Sequence, residues 1–518
     1  LSGTTDAEVT ARSRTFARAL FGLEAPRVIV ESHLLGGLPG TTLVGMPAAS
    51  VREARDRVRS ALTNCGYDYP DGRVVVNLAP VDLAKEGARF DLAIAVSILR
   101  ASGQLKEPVR EGAVELIGEL SLAGELRGVR GSLCAALNLA SGDRLVVPRE
   151  NAGEALLAGN QVTSLGHLKE VIRLLEGEDE QNFRTTPMPS SAPATTSLPP
   201  LVIGQVTAKR ALAIAATGAH HLLMVGPPGT GKSLLARHLP HLLPPLTERE
   251  AMEVAAVRSA AKQSAYAAGQ SPPDTHTRPV RSPHHSVSAT AMTGGGSNPR
   301  PGEISLAHNG VLFLDELPHF KPSVLDSLRE PLETQEISIS RAAGTAHFPA
   351  GFQLLAAMNP CPAGLVCSEG RCRCRPDQRQ RYQSRISGPL LDRIDLHVPV
   401  SEVPSQLLLA GEGDAWDPME IRARVCAARE WQINRQGCTN AQLPGEVLLR
   451  TCMLSAAEKR LLDKASGRYG LSARGLHRVL RVARSIADLA GLDAVQPEQL
   501  MEALSFRAMD WSGGRGAG

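Results

Sequence analysis

The sequence predicts an α/β protein: a parallel-sheet core, a helical C-terminal region closing over it, and a separate α/β domain in front. Three stretches predict this. Residues 222–225 are an apolar run of strand length, followed by Gly226-Pro227-Pro228-Gly229-Thr230-Gly231-Lys232-Ser233 and then by Leu234, Leu235, Ala236 and Leu239 at helical spacing. Residues 310–314 are a second apolar run, ending in Asp315-Glu316. Beyond residue 401 the pattern turns helical, with Ser472 suited to an N-cap and Pro497 to a first helical turn.

A strand, a glycine loop and a helix in that order curl backbone N–H groups around a phosphate and set the positive end of a helix behind it. Gly226, Gly229 and Gly231 let the chain curl, Lys232 can reach the outer phosphates, and the Ser233 hydroxyl suits a magnesium ligand. The expected cofactors are therefore ATP and Mg2+. A chance glycine turn would need neither the strand before it nor the helix after it.

Length and composition narrow the rest. A chain of 518 residues has room for two to four domains. Net charge is only +3, so any grip on nucleic acid is local, and aromatic residues at 3% are too few for single strands to be held mainly by stacking. No apolar run reaches membrane-spanning length, and the Arg12, Arg14 and Arg18 stretch is followed by too short an apolar segment for a secretory signal, so a cytoplasmic protein is expected. Nine cysteines in such a chain point to metal where clustered and to core thiols where scattered.

In chain order, residues 1–175 mix strand and helix: 28–32 alternates like a strand, 50–62 is an amphipathic helix, and 73–78 is another strand. At residues 80–91 and 118–131 this part resembles the proteolytic domain of Lon. That family's nucleophilic serine would fall where Arg89 stands, and no lysine occurs between Lys106 and Lys169 to act as its base. The resemblance implies the fold without the peptidase, because a hydroxyl needs an adjacent base to attack. Residues 176–200 lose periodicity and read as a flexible linker that lets the first domain move.

The core is expected over residues 201–400. Between its first two strands, Ser282-Pro-His284-His285-Ser286 and the Gly- and Pro-rich 294–303 form an inserted loop or hairpin, with the histidines packing or hydrogen bonding rather than ligating. Asp315 can hold magnesium and Glu316 can deprotonate water, both delivered to the sheet edge where such folds bind ligands. Residues 336–348 alternate on both sides of Gly344, a β-hairpin with Arg341 near its tip. Residues 353–358 form a third buried strand ending in Asn359, which could contact the γ-phosphate or the lytic water, or could simply end the strand before Pro360.

With these motifs in place the chain resembles an AAA+ P-loop ATPase, and within that class the magnesium-chelatase-like ComM/YifB family. The resemblance rests on residues 282–285, 294–317, 358–362 and 385–395. It implies a homo-oligomeric ring, usually a hexamer, with ATP between subunits. It also implies roles: Asn359 as sensor 1, Arg393 as the arginine finger with Arg385 as its competitor, and Arg474 as sensor 2, brought near the phosphates by a lid over residues 401–518. Its helices are expected at 418–435, 455–469, 476–490 and 497–506. Cys361, Cys367, Cys372 and Cys374 could fold around zinc, although one thiol usual in the family is replaced by Ala363.

The resemblance further implies a DNA motor, a helicase or branch-migration ATPase working with recombination proteins on DNA taken up in natural transformation. Loops around Arg300 and Arg341 would follow the DNA backbone. The alternative is a chelatase-type ATPase remodelling a protein partner for metal insertion into a porphyrin; a protease comes third, disfavoured by Arg89.

Overall fold

The computed structural model describes residues 9–507 apart from 46–47, 49–50, 52, 107–111, 160, 179–198, 201, 262–275, 342–343, 365–371, 373 and 411–415. Most of the expected linker, Cys367 and the last eleven residues lie outside the described residues. No described helix is long and apolar enough to cross a membrane.

The N-terminal part is built on seven strands: β1 (Val9–Arg18), β2 (Arg27–Leu35), β3 (Gly40–Val44), β4 (Arg73–Ala79), β5 (Val114–Leu116), β6 (Arg144–Pro148) and β7 (Val162–Leu165). Their order in the sheet is β3-β4-β2-β1-β5-β6-β7. Helices α1 (Ala54–Asn64) and α2 (Asp91–Ala101) join one apolar core with β2 and β4, because Val28, Val30, Val74, Val76 and Leu78 alternate inward at the strand period. Of the helix expected over residues 50–62, Ser50 and Arg52 lie outside the described residues, and Ala54–Leu62 is helical as its apolar spacing predicts. Helices α3 (Ser132–Leu137) and α4 (Leu168–Glu176) complete this part.

The second sheet is entirely parallel. Helix α5 (Val206–Gly218) leads into β8 (Leu222–Val225), then α6 (Lys232–Leu242) and α7 (Glu248–Ala261). The insert supplies β9 (Val280–Arg281) and a small hairpin of β10 (Gly294–Gly295) with β11 (Arg300–Pro301), as its composition predicts. Then come β12 (Val311–Leu314), the hairpin β13 (Glu336–Arg341) with β14 (Gly344–Pro349), β15 (Gln353–Met358) and β16 (Leu396–Pro399). The order is β9-β12-β15-β8-β16. β8 and β15 are buried at every position, as strands covered on both faces must be.

The C-terminal helices are α8 (Pro418–Gln436), α9 (Gly445–Cys452), α10 (Ala456–Tyr469), α11 (Ala473–Leu489) and α12 (Pro497–Ser505). Ser455 and Ser472 cap α10 and α11 through their hydroxyls, Ser472 as the sequence predicts. Helix α9 was not predicted: it is short and begins at a glycine, so it offers no start signal. Val479, Val482, Ala483 and Ile486 of α11 share one core with Leu212 and Ala216 of α5, fixing the helical region to the sheet.

The N-terminal part is docked rather than free. The Gly131 N–H donates to Ser259 O at 2.9 Å and the Leu133 N–H to Ser259 Oγ at 3.3 Å. Ala256 and Ala260 of α7 share an apolar cluster with Leu133 and Ala135. Phe21 and Leu23 pack on the core holding Ile339, Ala346 and Phe348 of the β13–β14 hairpin. The two parts therefore share a packed interface.

Candidate functional site

The site follows from strand direction. In a parallel sheet all C-terminal ends lie along one edge, and β8, β12 and β15 end there at Val225, Leu314 and Met358. The next residues of each are the glycine loop, Asp315 and Asn359. Three separate motifs are thus delivered to one place by register alone.

Gly226 sits where no side chain fits: a Cβ there would stand 2.1 Å from Val400 O. Gly229 and Gly231 take left-handed backbone, φ 79° and 88°, which bends the loop back on itself before α6 begins at Lys232. The Lys232 ammonium donates to Gly226 O at 2.7 Å, Pro227 O at 2.6 Å and Asn359 Oδ1 at 3.2 Å. Burial lowers its pKa, opposed by the charges of Asp315 and Glu316. Thr230 turns inward to Pro227 O at 2.9 Å and braces the loop.

The Ser233 hydroxyl donates to Asp315 Oδ2 at 2.7 Å. A hydroxyl and a carboxylate so placed offer the oxygen donors that magnesium takes, and the loop's N–H groups with Lys232 suit a polyphosphate. The Glu316 N–H donates to Asp315 Oδ1 at 2.9 Å, and Glu316 itself is left-handed, φ 54°. That conformation is uncommon outside glycine. His285 Nδ1 comes to 3.7 Å from Glu316 Oε2, and His284 stacks on His285 at 4.0 Å. The histidines do pack and hydrogen bond, His284 meeting Ser286 Oγ at 2.8 Å, but the approach to Glu316 had no local signal.

Arg393 lies elsewhere. Leu222 of β8 pairs with Leu396 of β16 in parallel, so Arg393, three residues before β16, stands at the N-terminal edge of the sheet. Four strand residues separate that edge from the glycine loop, about 13 Å. Its guanidinium binds Glu333 Oε1 at 2.7 Å and Pro389 O at 2.7 Å. Arg474 reaches the same Glu333 oxygen at 3.8 Å with its side chain 82% exposed. Packing α11 against α5 thus sets Arg474 beside Arg393, both facing Glu333. Arg385 donates to Pro318 O at 3.3 Å, close behind Glu316.

Cys361, Cys372 and Cys374 come together, all three sulfurs within 4.8 Å of one another and Cys361 to Cys372 at 3.4 Å. The cluster adjoins the nucleotide loop, because Gly364 approaches Pro228 so closely that a Cβ would stand 2.9 Å from its ring. At the other side of the insert, Arg341 Nε donates to Gly296 O at 3.1 Å, joining the two hairpins expected to face DNA.

Comparison with known proteins agrees with this arrangement. The family described as magnesium chelatase, subunit ChlI, matches residues 200–408; subunit ChlI of Mg-chelatase matches 30–151, and its C-terminal family matches 417–507. Competence protein ComM of Haemophilus influenzae is 46% identical over 95% of this chain and 97% of its own. The uncharacterized protein YifB of Salmonella typhimurium is 45% identical over 95% and 96%. A remote likeness, 24% identical over 55% of this chain and 40% of its own, is to the probable DNA helicase MCM9 of Arabidopsis thaliana. Identity at this level along almost the whole length, with the glycine loop, Asp315 and Asn359 gathered on one sheet edge, shows that the chain belongs to the magnesium-chelatase-like ComM/YifB family.

Proposed function

We propose that the protein is a ring-forming ATPase that moves DNA, a helicase or branch-migration motor serving recombination of incoming DNA in natural transformation. The observation that carries the ring is the position of Arg393. It stands about one strand length from its own phosphate loop, so its charge can complete only a neighbour's site. Arg474 joins it through Glu333, which makes both arginines groups of the same seam. A hexamer is the assembly we expect.

Magnesium-ATP, when bound, supplies the phosphoryl group whose transfer to water drives the motion. Residues 226–233 hold the phosphates with backbone N–H groups and Lys232, while Ser233 and Asp315 take the metal. Glu316 accepts a proton from the attacking water, and Asn359, hydrogen bonded to Lys232, orients the water. Arg393 of the adjacent subunit balances the charge that grows on the transferred group. Zinc is supported by the cysteine cluster: sulfurs around one zinc stand about 3.8 Å apart, and the three thiols here lie within 4.8 Å of one another, Cys361 and Cys372 at 3.4 Å. Purified protein should carry about one zinc per chain and lose it on Cys372→Ser; zinc-free wild-type protein refutes this part.

A role in competence is supported by the name of the relative from Haemophilus, and DNA as substrate by the joined hairpins bearing Arg300 and Arg341 and, more remotely, by the likeness to a probable DNA helicase. The second reading, a chelatase-type remodeller of a protein partner, is supported by the three matched family descriptions. ATPase rate separates them. Forked DNA should raise the rate of wild-type protein several-fold, with Lys232→Ala as the inactive control. Indifference to every DNA form, with stimulation by a porphyrin-binding protein, would reverse the order.

A further inference from the structure

A second polar site lies between the N-terminal part and the insert. A cleft of about 200 Å³ is lined by Glu86, Arg89, Glu119 and Arg130 on one side and by Asn298 and Arg300 of the β10–β11 hairpin on the other. Arg89 is only 6% exposed. Its Nη1 donates to Arg130 O at 3.1 Å, but its Nε and Nη2 are buried without a partner, as are Arg130 Nη1 and Asn298 Oδ1. Buried guanidinium donors left unpaired are costly, and a ligand that pairs them recovers that cost. Burial pulls the Arg89 pKa down to about 10, and the Arg130 charge adds to the effect. Arg130 is lowered in the same way, by burial and then by Arg300.

We propose that this cleft binds a phosphate group, with Arg89 and Arg130 as its fixed donors and Arg300 closing on it from the motor's hairpin. Planar guanidinium forks match phosphate oxygens in pairs, and such bonds are strongest away from water. Three arginines against two glutamates leave the site one positive charge, which suits a phosphodiester better than a polyphosphate. The volume is below that of ordinary small-molecule pockets, about 300–1,000 Å³. Glu86, Asn298 and Arg300 also line a neighbouring groove whose floor includes Gly294, Gly295 and Gly296. A strand could therefore run from the groove into the cleft, where a free anion would use the cleft alone. The ligand is a backbone phosphate of DNA, so this inference rests on the DNA reading for its source but not for its chemistry. Engagement would clamp the N-terminal part to the hairpin.

The test uses the full-length wild type, Arg89→Gln, Arg130→Gln and the charge-keeping Arg89→Lys. Binding of a labelled single-stranded oligonucleotide is followed by anisotropy over a salt series, beside the same sequence with uncharged methylphosphonate linkages, and thermal melting is followed with inorganic phosphate. Arg130→Gln should weaken oligonucleotide binding about five- to tenfold and reduce the slope of log Kd against log salt by about one. Arg89→Lys should recover part of the loss in Arg89→Gln, and the uncharged oligonucleotide should be indifferent to all three. Melting raised by inorganic phosphate in the wild type and not in Arg130→Gln, with DNA affinity unmoved, upholds the phosphate site and gives it a free anion. If no DNA binds any form, the DNA reading fails while the phosphate arm still reports on the cleft. Arg130→Gln that matches wild type in both DNA affinity and phosphate response overturns the proposal, whether or not Arg89→Gln folds.

Discussion

Gly226→Ala tests whether the phosphate loop is held by close backbone contact with Val400, the residue just after β16. The added Cβ would stand 2.1 Å from Val400 O, 3.0 Å from Val400 C and 3.1 Å from Val400 Cβ. A carbon and a carbonyl oxygen approach to about 3.3 Å at closest, so one backbone must retreat by about 1.2 Å. The obstacle is main chain in a sheet, and Val400 N already donates to Val225 O at 2.8 Å, so the strands cannot part without losing that bond. Overpacking of this kind costs about 1–3 kcal/mol, several degrees of melting temperature for a unit of about 200 residues. It also moves Gly226 O, an acceptor for Lys232, so nucleotide affinity should fall about tenfold or more. Melting and binding of a fluorescent ATP analogue are the assays. Gly467→Ala is the control: it lies inside α10 with nothing within 4 Å of a new Cβ, and it should leave binding alone and raise stability by about 0.5–1 kcal/mol. A Gly226→Ala protein with wild-type melting and affinity would refute the close-contact argument.

Two further predictions concern stability. Asp488 is the fully buried counter-charge of Arg484, which is also fully buried, and it pairs with Arg435 at 2.7 Å. Asp488→Ala should cost about 3–5 kcal/mol, seen as early melting of the helical region, and a loss under 1 kcal/mol would contradict the buried-pair account. His397 is buried, and burial with the nearby Arg507 holds its pKa down to about 4. The folded state therefore favours the neutral ring. Its contribution is complete above about pH 6.5 and is lost as pH falls through about 4, up to about 3 kcal/mol. His397→Gln should flatten the acid side of melting temperature against pH between 7 and 4.5, and an unchanged slope would contradict it.

Local chemistry made much of this molecule legible. The glycine loop, the Asp315-Glu316 strand end and the hairpin of β13 and β14 each carry their signal within a dozen residues, and the strand, turn and cap rules that read them act over the same distance. What escaped were contacts between distant residues of unremarkable type. Glu333 is one acidic residue in a one-turn helix, and only folding shows that Arg393 and Arg474 both reach it. His285 gains its meaning from Glu316, thirty-one positions later. The docking of the N-terminal part uses alanines of α7, whose small apolar face looks from sequence like ordinary core. Arg89 was legible as a departure from a catalytic pattern, but the cleft it forms with Arg130 and Arg300 was not.

The shared seam is tested most directly by mixing two defective subunits before assembly. Lys232→Ala removes the loop's lysine but keeps the arginine, and Arg393→Ala does the reverse. Each alone should be slowed about a thousandfold or more in ATP turnover with forked DNA. In a random equal mixture about one seam in four pairs an intact loop with an intact arginine, so about a quarter of the wild-type rate should return. A mixture no faster than its parents, or Arg393→Ala alone at the wild-type rate, would contradict the account.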